Sequence, residues 1–236
     1  MTKRLLILLS ALSAFALIGS ASSLYPACGA NTFDYYMQNY ATVSSACAVG
    51  DKLFFDFSYL PTNSGAIAPT GAQVNIVGDI SDPNEPGLVF SSSLWTVSAT
   101  NPLRNVYIDA SISFTVATMD GAALIKDGTL SFAGTESTTG QGHALIGETL
   151  ILGGGPPSTT LGVDSIGGPF TSITTFSPVS FVTVSKNLQV NVSAGTTGTA
   201  SIASFREGFS EMPEPVSCVL FGSGLLGLGI LRRRRA

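Results

Sequence analysis

"VYIDASISFTV", residues 106–116, decides the fold. Val106, Ile108, Ala110, Ile112, Phe114 and Val116 alternate with Tyr107, Asp109, Ser111, Ser113 and Thr115. Successive side chains of a strand point to opposite faces, so this period of two describes a strand with one face in a core and one in water. The same alternation recurs on both sides. In "GDKLFFDFSYL" (50–60), Leu53, Phe55, Phe57 and Tyr59 alternate with Lys52, Phe54, Asp56 and Ser58, predicting a strand that buries the first set. Val74 and Ile76, Leu94 to Val97, "HALIGETLIL" (143–152), "SPVSFVTVSKNLQVNVSA" (177–194) and "TASIASFREGF" (199–209) continue the series. In "ALIKDGTLSF" (123–132), Asp127-Gly128 between two apolar runs predicts a hairpin turn. "SDPNEPG" (81–87) and "GGGPPSTT" (153–160) are turn-forming separators.

No helical period appears between Leu53 and Phe209, and no internal repeat is visible. The expected fold is mainly β: an antiparallel β-sandwich or jelly-roll-like domain of about eight to ten strands. One short helix precedes it. In "NTFDYYMQNY" (31–40), Phe33, Tyr36, Met37 and Tyr40 fall at helical spacing, with Asn31 or Thr32 as the cap. Cys28 and Cys47 flank this helix. In an exported chain a disulfide between them is the first reading; two free thiols or a metal pair are the others.

Both ends read as signals. Lys3 and Arg4, an apolar stretch from Leu5 to Ile18 and then small residues form the layout of a secretory signal peptide over 1–23. Cleavage after Ala21 or after Ser23 satisfies the small-residue rule; an uncleaved anchor is the alternative. Tyr25 and Pro26 before Cys28 argue against a lipoprotein. Residues 24–208 then form one exported domain, and 209–236 a linker and tail.

The tail is "PEPVSCVLFGSGLLGLGILRRRRA" (213–236). Val216 to Leu231 carry no charge. As a helix they span ~24 Å, short of the ~30 Å hydrocarbon core, so the transmembrane helix is marginal. Arg232, Arg233, Arg234 and Arg235 hold the cytoplasmic side, leaving the domain outside. Pro213 and Pro215 keep Glu214 on an extended segment beside the membrane. This order of parts resembles the PEP-CTERM sorting signal of Gram-negative bacteria. The resemblance implies that an exosortase recognises Pro213, Glu214 and Pro215, removes the tail and releases an inner-membrane-anchored precursor to the cell surface or matrix. It also implies an association with exopolysaccharide and biofilm. The exported part, with its cysteine pair around a short helix, "AVGDKLFFDFSY" (48–59) and "VSFVTVSKNLQVNVSAGTTGTASIASFREGF" (179–209), resembles domains of other PEP-CTERM proteins, and that likeness implies no activity.

Charge narrows the partners. The whole chain carries −4, but six of its eleven basic residues sit in the end signals. The remainder (24–212) has five bases (Lys52, Arg104, Lys126, Lys186, Arg206) against fourteen acids, a balance of −9. Such a body repels nucleic acid, and anionic polysaccharide too unless divalent cations intervene.

Catalytic motifs are missing. There is no G-x-S-x-G elbow and no phosphate-binding loop, and His143 is the one histidine, read as structural. No cofactor is implied. Asp79, Asp82, Asn84 and Glu85 in one loop make a weak calcium candidate at spacings that match no EF-hand. The expected function is therefore that of a non-enzymatic surface or matrix protein. A carbohydrate-binding module using tyrosines or Trp95 is the alternative, and a carboxylate-dependent glycan hydrolase a further one.

Overall fold

The computed structural model describes residues 24–119, 123–133 and 136–212. The signal peptide, the Pro213-Glu214-Pro215 motif, the apolar tail and Arg232 to Arg235 lie outside the described residues. In chain order the elements are β1 (Asn31–Thr32), α1 (Phe33–Asn39), β2 (Cys47–Val49), β3 (Lys52–Ser64), β4 (Asn75–Asp79), β5 (Gly87–Ser91), β6 (Thr96–Thr100), β7 (Val106–Thr118) and β8 (Leu124–Phe132). They continue with β9 (Glu136–Gly140), β10 (Gly142–Leu152), β11 (Ser158–Asp164), β12 (Thr171–Val179), β13 (Phe181–Val192), β14 (Thr197–Ile202) and β15 (Ser204–Met212).

These strands build an antiparallel sandwich. One six-stranded sheet runs β11-β10-β13-β7-β3-β2 and the other β1-β4-β5-β15-β8-β12; a three-stranded sheet, β6-β14-β9, accompanies them. The alternation of 106–116 is realised as expected: its six apolar residues are buried at the centre of the first sheet. Phe114 stacks on Phe90 of the opposite sheet with ring centroids 5.7 Å apart, and Phe54 meets Phe209 at 6.4 Å. Aromatic pairs at these spacings contribute about 0.5–1.5 kcal/mol each beyond their area.

Several expectations are corrected. The strand count is fifteen among the described residues, because edge strands as short as β1 and β2 carry too few residues to show a period. The alternation of 52–59 does not hold through β3. A bulge between Phe55 and Ser58, with Asp56 at φ 58°, resets the parity. Before it Phe54 faces the main core, while Leu53 packs with Ala46 and Ala48 in a small separate cluster; after it Phe57 faces the main core. Asp is among the residues that tolerate this backbone region. The Asp56 N–H donates to the Tyr40 carbonyl at 2.8 Å, which ties the bulge to the end of α1.

Asp127-Gly128 is not a hairpin turn but the middle of β8. A Cβ on Gly128 would lie 2.8 Å from Leu150 Cδ1, so any larger residue here would have to push that side chain aside. Asp127 accepts from the Ser210 N–H at 3.0 Å, beside the register shift in β15. β15 itself continues to Met212 and buries Phe209.

The N-terminal helix forms as its spacing predicts. Thr32 is the cap, its Oγ1 accepting from the Tyr35 N–H at 3.3 Å, and Phe33, Tyr36 and Tyr40 are buried. Cys28 and Cys47 form a disulfide, with Cα atoms 4.9 Å apart. It joins the segment before the helix to β2 on the first sheet. Among the described residues no helix is long and apolar enough to cross a membrane.

Candidate functional site

Two features stand on opposite faces of the same pair of strands, β10 and β13. The first is open. Pairing aligns Ser111, Asn187, Gly147 and Gly162 in one row across β7, β13, β10 and β11, and Ser113, Ser185, Thr149 and Thr160 in the next. Alternation turns all eight away from the core, whose inward partners on β10 include Ile146 and Leu150. Two adjacent glycines remove the side chains from one stretch of this surface. The result is a cleft of about 420 Å³ lined by Ser111, Ser185, Asn187, Thr149 and Thr160, with Gly147 at its floor. A Cβ on Gly147 would meet nothing within 4 Å. Hydroxyl and carboxamide groups both donate and accept, and the bare glycine strip lets a ligand come close to the backbone. No charged side chain projects into this cleft: Glu148 and Lys186 reach it only through their backbones, because both side chains are wholly buried.

The second feature is sealed. Glu148 on β10, Lys186 on β13 and Glu207 on β15 all sit at inward positions and meet in the core. Glu148 and Lys186 are direct cross-strand partners, and Glu207 comes from the opposite sheet. Lys186 Nζ donates to Glu207 Oε2 at 2.6 Å and forms an ion pair with Glu148 Oε2. That second contact lacks hydrogen-bond geometry: neither Glu148 oxygen has a hydrogen-bond partner, and Glu207 Oε1 has none either. The rings of Phe114 and Phe205 each lie 5.8 Å from Nζ.

Three ionisable groups removed from water cannot all keep their charges cheaply. Burial pushes Glu207 up to about 7, further raised by Glu85 and held back by Lys186 and Arg206. Burial likewise pushes Lys186 down, with Glu207 opposing the shift. Desolvation thus favours the neutral acid and the neutral amine.

The residues singled out from sequence fall elsewhere. Asp79 and Glu85 converge on Arg206: Arg206 Nε donates to Asp79 Oδ2 at 2.5 Å, and Nη1 lies 3.8 Å from Glu85 Oε1. Asp79 is held below the usual carboxylate range by Arg206 and Ser81 hydrogen bonds, against the opposing effect of burial. Asp82 accepts from the Asn84 N–H at 2.9 Å, an ordinary turn contact. Among the described residues no three His, Cys, Asp or Glu side chains gather as a metal site. His143 pairs through Nε2 with Asp164 Oδ1 at 2.7 Å at the end of β10. Trp95 is fully buried against Phe205, so it is unavailable to a sugar.

The buried triad went unrecognised in the sequence reading, although parity alone reveals it. In "FVTVSKNLQVNV", "GHALIGETLIL" and "SFREGF", Lys186, Glu148 and Glu207 occupy apolar-phase positions. The cleft had a weaker signal, since two glycines in separate strands become adjacent only through pairing.

No family model matches the sequence, and no curated protein matches it. Solved structures that resemble the chain include a family 61 carbohydrate-binding module bound to β-1,4-galactotriose, at 13% identity and TM-score 0.26, covering 63% of this chain and 86% of that one. Others are a family 11 module from Clostridium thermocellum bound to a mixed-linked tetrasaccharide (7%, TM-score 0.20, 64% and 87%) and a family 22 xylan-binding domain from Paenibacillus barcinonensis (8%, TM-score 0.17, 82% and 100%). At these scores the likenesses establish neither a family nor a ligand for this chain.

Proposed function

We propose that this chain is an exported, non-catalytic surface or matrix protein that binds a neutral polysaccharide in the cleft over Gly147. The observation that carries this reading is the pair of rows of hydroxyl and amide side chains beside a side-chain-free strip on an open sheet face. Sugar hydroxyls match donors and acceptors of that kind. The −9 balance of the body selects against polyanions at the same surface. Among the described residues, Glu148 and Glu207 share Lys186 in the core and are closed to a glycan, which weighs against a hydrolase using them.

Delivery is the second half of the proposal. Pro213, Glu214 and Pro215 serve an exosortase, and Arg232 to Arg235 hold the precursor in the inner membrane until it is processed and released at the cell surface. Two experiments separate the halves. Full-length protein is assayed for saturable binding to neutral and to anionic polysaccharides; absence of neutral-glycan binding overturns the first half. Replacing residues 213–215 with alanines is expected to leave an unprocessed, membrane-held form. Wild-type processing and location in that variant overturn the second.

A further inference from the structure

We propose that Lys186 and Glu148 join covalently: Lys186 Nζ attacks Glu148 Cδ and forms an intramolecular amide, with Glu207 moving the protons. The geometry distinguishes the two carboxylates. Glu148 stands directly across from Lys186 in the β10–β13 pairing, and its carboxyl touches Nζ while neither of its oxygens is hydrogen-bonded. Nζ lies against Oε2 outside hydrogen-bond geometry, so no hydrogen bond holds the amine in the carboxylate plane and away from Cδ. Glu207 already accepts the Nζ proton through Oε2 at 2.6 Å, the position of a general base.

The atoms balance without any outside reagent. The reacting forms are a neutral amine and a neutral Glu148 acid. The N–C bond forms, Glu207 takes a proton from Nζ, and it returns that proton to the departing Glu148 hydroxyl as the C–O bond breaks. One water leaves and Glu207 ends as it began. Burial lowers Lys186 toward its neutral amine; the proton it gives up passes to Glu148, which leaves Glu207 as the carboxylate its role as base requires, and Phe114 and Phe205 keep bulk water from the site. Each molecule reacts once, independently of what the outer cleft binds.

Trypsin reads the result on the full-length protein. Unmodified chain is cut after Lys126, Lys186 and Arg206, giving separate peptides 127–186 and 187–206. The amide blocks cleavage after Lys186 and yields a single peptide 127–206 lighter than its sequence by one water. Neither disulfide cysteine lies in that span, so disulfide oxidation does not contribute.

Glu148→Gln keeps the acyl carbon and is expected to close with loss of ammonia, converging on the wild-type peptide mass. Glu207→Gln cannot accept the proton and is expected to leave most of the chain uncondensed. Two separate peptides of full mass from wild type overturn the proposal. So does a bond that maps to the peptide beginning at Glu207, or full closure in Glu207→Gln.

Discussion

Gly147→Leu is the sharpest test of the cleft, because the structure allows it without disturbing the fold. Gly147 has no positive φ and its Cβ direction is empty, so an L side chain fits the backbone. Replacing glycine with a β-carbon residue at a compatible position stabilises by about 0.4–1 kcal/mol through the unfolded chain. The added isobutyl group occupies the cleft floor beside Asn187 and Thr149. A sugar kept from two of the lining groups loses two hydrogen bonds at a net ~1 kcal/mol each. About 2 kcal/mol corresponds to roughly a 25-fold weaker Kd. The assay is affinity electrophoresis or calorimetry on a neutral polysaccharide, with thermal melting alongside. Unchanged or raised Tm with at least tenfold weaker binding is expected. Unchanged Tm with wild-type affinity refutes the assignment, since a filled cleft cannot then be the site. Gly142→Ala is the contrasting control: its Cβ would run into the Thr199 carbonyl, so it loses stability first.

Three further outcomes follow from the same structure. Cys28→Ala with Cys47→Ala opens a loop of sequence separation 19 and is expected to cost about 3 kcal/mol in urea unfolding, matching wild type under reductant. Glu207 is raised in the fold to about 7 from 4.5, so the folded state holds the extra proton and stability falls as pH rises between those values. That loss is at most about 3 kcal/mol, and in urea titrations Glu207→Gln is expected to flatten it. Gly128→Val overpacks the inter-sheet contact with Leu150 and is expected to cost about 1–3 kcal/mol by chemical denaturation, whereas a solvent-exposed hairpin position would tolerate it.

How far the sequence discloses this molecule depends on whether a feature is local. Alternation is local, so β7 and β10 are legible to within a residue or two, and so are the Phe33, Tyr36, Tyr40 face of α1 and the cysteine pair around it; β13 is legible only inside the longer run 177–194, which also takes in the end of β12. Asp56 hides a bulge because its N–H donates to the carbonyl of Tyr40, the residue that caps α1, a partner distant from β3's own pattern. Asp127-Gly128 misleads because the same dipeptide that suits a tight turn also suits a strand pressed against Leu150. Trp95, a candidate sugar contact in the sequence, is fully buried, because burial depends on the whole sandwich. The buried ionic triad is the opposite case: three charged residues in the apolar phase of three strands are readable one strand at a time.

The cleft and the triad are coupled by the register of one strand pair. Glu148 faces Lys186 only in the alignment that also places Gly147 beside Asn187. A slip by one residue would turn Lys186 and Glu148 toward water, bury Ser185, Asn187 and Thr149, and break the bare strip. The hydrophobic phase of β10 and β13 opposes that slip. Yet Val, Ile and Leu repeat at every second position along both strands, so a shift by two would keep the apolar faces inward. The charged pair answers this degeneracy: a two-residue shift would set Lys186 against an aliphatic neighbour and leave Glu148 buried without a cation, at a cost of several kcal/mol. Sealed charges inside the sandwich thus specify the alignment of neutral groups on its surface, and an amide between Lys186 and Glu148 would make that alignment permanent.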